Sequence, residues 1–344
     1  MKKITFLATA LLMSLGSFAQ QALFDNVPVI SPELYSYNLL LDGVKIVDPG
    51  SVYITRDITS ETNIFILSDK KGDCGDLYTV NEVPHGNVSK VWYDSPTLKM
   101  QRRMTVYTPA GYDKGKDYPV LYLLHGAGGD EDAWTTLGRA QHILDNLIAT
   151  GKAKPMVVVM TNGNPNCQAA PGEWSAGQYI PSFYGYQGAK PAATMDESFP
   201  DVMNYVESHY KVAKDKAHRA ICGLSMGGGH SFDISRRFPT KFDYIGLFSA
   251  GLHVGTTGDF RSDFYKQLQG NEEAKTQLAT LFKNKPKLYW IGMGKTDFLY
   301  KSSADLRRYF DEKGYKYTYL ETEGGHIWRN WRVYLTEFAQ KIFK

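Results

Sequence analysis

Two runs near the middle of the chain, Tyr118–Leu124 and Met156–Met160, are apolar throughout. A strand with one wet face alternates in polarity. A strand apolar at every position must be covered on both faces, and the usual cover is a layer of helices on each side of a mainly parallel sheet. Gly138–Ala149, between the two runs, carries helical spacing, and the alternation continues on either side. The patterning predicts strands at Val88–Tyr93, Gln101–Tyr107, Ala217–Cys222, Tyr244–Phe248, Lys287–Ile291 and Lys316–Leu320. It predicts helices at Asp196–His209, Gly228–Phe238, Ser302–Lys313 and Ile327–Phe343. The expected class over residues 86–344 is therefore α/β with a mainly parallel central sheet.

Ahead of Gly86 the texture differs. Short apolar or alternating runs at Leu34–Leu41, Ser51–Ile54 and Asn63–Leu67 are broken by Asp42-Gly43, Pro49-Gly50 and Lys71-Gly72, which are strand and turn signals. A segment this short is marginal as an independent β domain. Residues 20–85 are expected to form a small β module beside the larger domain. At the start, Lys2 and Lys3 precede an apolar run, Ile4–Leu15, that ends in Gly16-Ser17-Phe18-Ala19. This pattern predicts an export leader over residues 1–19 and a mature protein in the periplasm or outside the cell. The leader's apolar core is too short to cross about 30 Å of hydrocarbon, and no other stretch is long enough, so no membrane insertion is expected.

Charge excludes one class of partner. Lys plus Arg total 39 against 36 Asp plus Glu, a net charge of +3 that gives no strong pull on nucleic acid or anionic lipid. Cys74, Cys167 and Cys222 show no C-x-x-C pair, so neither a metal nor a redox site is expected from them; whether Cys74 and Cys167 meet is left open by their spacing.

The chemistry concentrates in Gly223-Leu224-Ser225-Met226-Gly227, a G-x-S-x-G between a predicted strand and a predicted helix. A serine on so tight a turn needs neighbours without bulk, because the backbone folds close upon itself there. Its hydroxyl would project from the carboxyl end of the sheet. The amide of Met226, at the helix N-terminus, could donate to a developing oxyanion. A phosphate-binding loop is the bland alternative, but the lysine and the glycine order such loops require are absent. A serine needs a base, and His326, in Glu323-Gly324-Gly325-His326-Ile327-Trp328, follows the last predicted strand on a loop able to carry it over the serine. His85, His142, His209 and His218 are placed less suitably, and His253, in a Gly-rich loop, is placed to line the site. The orienting acid is expected between serine and histidine in the chain. Asp297 is chosen because it follows a predicted strand at its carboxyl end, unlike Asp243, Asp259, Asp263, Asp305 and Asp311. The turn Leu123-Leu124-His125-Gly126-Ala127-Gly128-Gly129 would supply a second oxyanion donor from Ala127, with His125 bracing the loop.

Taken with Val91-Trp92-Tyr93, Arg103-Met104-Thr105-Val106-Tyr107-Thr108-Pro109 and Gly324-Gly325-His326-Ile327-Trp328, these motifs resemble carbohydrate esterase family one of the α/β-hydrolases over nearly all of residues 86–344. The resemblance implies a cofactor-free and metal-free serine mechanism using Ser225, His326 and Asp297. It also implies hemicellulose side-chain esters as substrates, with feruloyl release from arabinoxylan first. Acetylxylan deacetylation, acyl transfer to a sugar and non-catalytic glycan binding are the alternatives. Gly229 stands where similar sequences suggest a larger residue, which is expected to alter helix packing. Ser31–Pro49 resembles the later half of carbohydrate-binding modules; the earlier half is missing, so a structural role is weighed above glycan binding. In the long connection Cys167–Gly188, Trp174, Tyr179, Phe183 and Tyr184 are expected either to stack on substrate or to pack the loop down.

Overall fold

The computed structural model describes residues 31–58, 60–175, 191–255 and 263–344. The leader expected over residues 1–19 lies outside them. Among the described residues no helix is long and apolar enough to cross a membrane. Contacts divide the chain into two units: Met1–Thr55 with Glu61–Asp76, and Arg56–Ser60 with Leu77–Lys344. Arg56–Ser60 and residues 77–85, expected in the module, group with the larger unit.

The smaller unit holds strands β1 (Glu33–Tyr37), β2 (Leu39–Leu41) and β3 (Val44–Ile46). The apolar run Leu34–Leu41 is thus two strands rather than one. Strands β4 (Ile54–Asp57) and β5 (Ser60–Leu67) join β1 in a sheet of order β1-β5-β4, and β2 pairs with β3. In the antiparallel β1–β5 register Tyr35 faces Phe65, and their rings stack with centroids 5.4 Å apart. A short helix, α1 (Cys74–Tyr78), follows.

The larger unit is built on β6 (Asn87–Ser95), β7 (Met100–Thr108), β8 (Val120–Leu124), β9 (Val157–Thr161), β10 (Arg219–Leu224), β11 (Tyr244–Phe248), β12 (Leu288–Gly294) and β13 (Thr318–Thr322). Their order is β13-β12-β11-β10-β8-β9-β7-β6. The pairs from β9 through β8, β10, β11 and β12 to β13 are parallel, while β7 is antiparallel to both β9 and β6. Helices are α2 (Ala133–Thr136), α3 (Ala140–Ala149), α4 (Met195–His209), α5 (Met226–Arg237), α6 (Phe264–Gln269), α7 (Glu272–Lys283), α8 (Tyr300–Lys313) and α9 (Trp328–Ala339).

Every residue of β8, β9, β10 and β11 is buried, the two-sided cover that the unbroken apolar runs of β8 and β9 required. Side chains alternate between the faces. Ile245 and Leu247 join a core with Phe199 of α4, Phe232 of α5 and Leu278 of α7. On the opposite face Phe248 meets Phe338 of α9 edge-on at 5.8 Å. Two helices, α6 and α7, lie between β11 and β12, where the sequence pattern predicts none. Asn271 caps α7 by accepting from the amide of Ala274, and Ala274, Leu278 and Leu281 form its buried stripe.

The topology fixes where a site can form. From β8 the chain passes to β9 on one side and later returns to β10 on the other, so connections diverge between β8 and β10. In open α/β sheets ligands bind in the crevice outside the carboxyl ends of strands at such a switch point. Register sets those ends level: Gly223 lies opposite Leu124, Leu224 opposite Phe248, and Gly294 opposite Thr322.

Candidate active site

Ser225 follows β10 directly and opens α5, with φ 52° and ψ −115°. A residue with a Cβ held in such a conformation costs about 1–3 kcal/mol and persists only where its surroundings dictate it. Here they do. The Ser225 amide donates to the Phe248 carbonyl at 2.9 Å, and the Ser225 carbonyl accepts from the amides of Gly229 at 3.0 Å and Gly251 at 2.8 Å. Close packing explains two glycines. A Cβ at Gly227 would lie 2.5 Å from the His125 carbonyl oxygen, and one at Gly229 would lie 2.4 Å from that of Gly251. The absence of a side chain at 229 lets α5 start against the loop after β11.

Asp297 follows β12 and His326 follows β13. The imidazole Nδ1 lies 2.9 Å from Asp297 Oδ2 and 3.1 Å from Oδ1. The carboxylate is wholly buried and its Oδ1 also accepts from the Leu299 amide at 2.9 Å. An ionised Asp297 in this position requires the proton on Nδ1, which leaves the lone pair on Nε2. Phe298 and Trp331 flank the ring, with centroids 4.6 and 4.9 Å away.

Ser225, Met226, Ala127 and His326 line one cavity of about 820 Å³. Met226 is the first residue of α5, where the helix leaves amides without an internal partner. Ala127 is exposed in the turn after β8. That turn is held from behind: the Trp134 indole donates to the Leu124 carbonyl at 2.9 Å. His125 Nε2 accepts from the Gly163 amide at 2.8 Å, so its Nδ1, 2.7 Å from the Gly126 carbonyl, carries the proton and donates. Burial pushes the His125 pKa down to about 4, consistent with a neutral brace. His230 and His253 also line the cavity, and burial lowers His230 to about 4 as well.

Several of the other candidates are engaged elsewhere, and Asp259 lies outside the described residues. His85 meets Asp145 and His218 meets Asp215. Asp305 pairs with Lys301, Asp243 with Lys216, and Asp263 caps α6. Cys74, Cys167 and Cys222 are not joined by a disulfide. Among the described residues no group of three or more His, Cys, Asp and Glu could hold a metal ion.

Of the four aromatic residues singled out in the long connection, Tyr179, Phe183 and Tyr184 lie outside the described residues. Trp174 is 89% exposed and outside the cavity's described lining. The stem of that connection is pinned by two arginines. Arg102 donates to the carbonyls of Asn164 at 2.6 Å and Cys167 at 2.7 Å. Arg103 pairs with Glu131 at 2.7 Å, both buried, and Glu131 also accepts from the Ala170 amide at 2.9 Å and the Asn162 side chain at 2.9 Å. Removing one partner of a buried pair strands the other charge. Arg103→Ala is expected to cost about 3–5 kcal/mol of stability, measured by urea unfolding; a loss under about 1 kcal/mol would contradict this role.

Sequence reasoning missed part of the cavity wall. Arg56, Asp57 and Ile58, at the end of β4, line it together with Phe298, Trp328 and Trp331. No periodicity links position 57 to position 225; only the fold brings them to one wall.

The Esterase family model matches residues 95–342. An endo-1,4-beta-xylanase/feruloyl esterase of Xylanibacter ruminicola is 32% identical over 325 residues, covering 92% of this chain but 39% of that protein, so the chain spans well under half the length of this relative. A solved ferulic acid esterase superposes with a TM-score of 0.60 at 25% identity, over 74% of this chain and 97% of that one. A carbohydrate esterase family one ferulic acid esterase from Anaeromyces mucronatus, in complex with ferulic acid, gives a TM-score of 0.60 at 23% identity, over 80% of this chain and 98% of that one, a likeness of fold.

Proposed function

The chain belongs to the Esterase family, as its resemblance to carbohydrate esterase family one implied, and on that premise we propose that it is an exported serine ester hydrolase releasing feruloyl groups from hemicellulose such as arabinoxylan. The observation that carries this reading is the buried Asp297 carboxylate 2.9 Å from the His326 imidazole, with His326 on the wall of the cavity that Ser225 also lines.

In this mechanism His326 Nε2 takes the Ser225 proton as the hydroxyl oxygen attacks the ester carbonyl. The amides of Met226 and Ala127 hold the negative oxygen that develops, and Asp297 stabilises the imidazolium. The C–O bond to the alcohol breaks, and the alcohol leaves with the proton from His326. Water, deprotonated by the same imidazole, then attacks the acyl-serine; the acid departs and Ser225 regains its proton.

A cavity of about 820 Å³ with Phe298, Trp328 and Trp331 on its wall suits a hydroxycinnamoyl group better than an acetyl group. The deciding experiment gives the purified protein feruloylated arabinoxylan and acetylated xylan and quantifies both free acids. Ferulate release well above acetate release is expected. Acetate without ferulate would make the protein an acetylxylan esterase, and neither acid would remove the hydrolase reading.

A further inference from the structure

The stretch Arg56-Asp57-Ile58 meets two loops that carry the proposed chemistry. Arg56 pairs with the carboxylate of Asp130, just beyond the turn that holds Ala127, and donates to the Ile58 carbonyl at 2.8 Å. The Ile58 side chain lies over Gly128 of the same turn, 3.0–3.3 Å from where a Cβ there would stand. The Trp328 side chain, two residues after His326, lies close enough to the Asp57 carboxyl to lower its pKa.

Asp57 itself faces the cavity. The cavity wall it belongs to carries Ile58, Phe298, Ile327, Trp328 and Trp331 alongside the charged Arg56, Asp130 and Asp132, and burial raises the Asp57 pKa. A carboxylate offers about four acceptor positions. The Trp328 indole can fill one, and Arg56, committed to Asp130, offsets the charge without filling the rest. A carboxylate on a largely apolar wall with acceptor capacity to spare gains from a neutral donor, and a charge-assisted hydrogen bond to a hydroxyl is the strong form of that contact.

We infer that Asp57 is a specificity-determining residue that accepts a hydrogen bond from a hydroxyl group of the bound ester. This deepens the esterase reading and rests on it. Two parts of a feruloylated glycan carry such hydroxyls: the phenol of the acyl group and the sugar of the alcohol.

Kinetics of Asp57→Ala and Asp57→Asn separate the sources. Each variant and the wild type are measured on methyl ferulate, on methyl cinnamate, which lacks the phenol, and on feruloylated and cinnamoylated arabino-oligosaccharides. The readout is selectivity, the ratio of kcat/KM between paired substrates, which a loss of folding or of general activity does not move. If the phenol binds Asp57, the ferulate-to-cinnamate ratio falls about 10- to 100-fold in Asp57→Ala, carried by KM. If the sugar binds it, that ratio holds and the oligosaccharide-to-methyl-ester ratio falls by the same factor. Asp57→Asn, which keeps the shape and one acceptor, is expected to retain part of the lost selectivity. Both ratios unchanged in both variants would overturn the assignment. Wild-type protein inactive on all the esters would instead sink the esterase reading.

Discussion

Ser225→Ala is expected to lower kcat for ester hydrolysis by about 10⁶-fold, leaving only what binding and the oxyanion donors can do alone. The substitution removes one oxygen. Alanine keeps the Cβ that the backbone already tolerates at φ 52°, and the hydrogen bonds that hold residue 225 are all made by its amide and carbonyl. The fold should therefore be retained, with an unchanged circular dichroism spectrum and little change in Tm. Hydrolysis within tenfold of wild type would exclude the hydroxyl from the mechanism.

Asp297→Asn is the second large effect, about 10⁴-fold in kcat with little change in KM. The reason lies in two contacts. Oδ1 of Asp297 accepts from the Leu299 amide at 2.9 Å, which fixes the side-chain oxygen of an asparagine on that side. Its NH₂ then faces His326 Nδ1, which in Asp297 is 2.9 Å from Oδ2. An amide donor there demands a lone pair on Nδ1, forces the proton onto Nε2 and leaves no base for Ser225. Steady-state kinetics with one ester checks the split: a rise in KM at constant kcat would place Asp297 in substrate binding.

The sequence carried the centre of the site because each part announces itself locally. Gly223-Leu224-Ser225-Met226-Gly227 joins a strand signal to a helix signal, Asp297 sits just past the apolar run that becomes β12, and His326 follows the alternating strand signal that becomes β13. The parallel centre of the sheet was legible for the same reason, since β8, β9 and β11 bury every residue and show it as unbroken apolarity. Helix α7 was less visible because only Ala274, Leu278 and Leu281 of its twelve residues are buried, so its apolar stripe is thin. The Arg56–Ile58 stretch was illegible in principle. Nothing local marks Asp57, and its place on the cavity wall follows from its approach to Trp328 and from the Arg56–Asp130 pair beside it, which only the folded chain makes.

The central claim, that one hydroxyl becomes acylated beside an imidazole held by a buried carboxylate, is tested most directly by covalent capture. The protein is treated with phenylmethanesulfonyl fluoride, digested, and its peptides mapped by mass spectrometry. A single adduct on Ser225, formed in step with loss of ester hydrolysis, slowed in Asp297→Asn and absent from Ser225→Ala, is the expected result. Inactivation accompanied by a label on any other residue, with Ser225 unmodified, would contradict it.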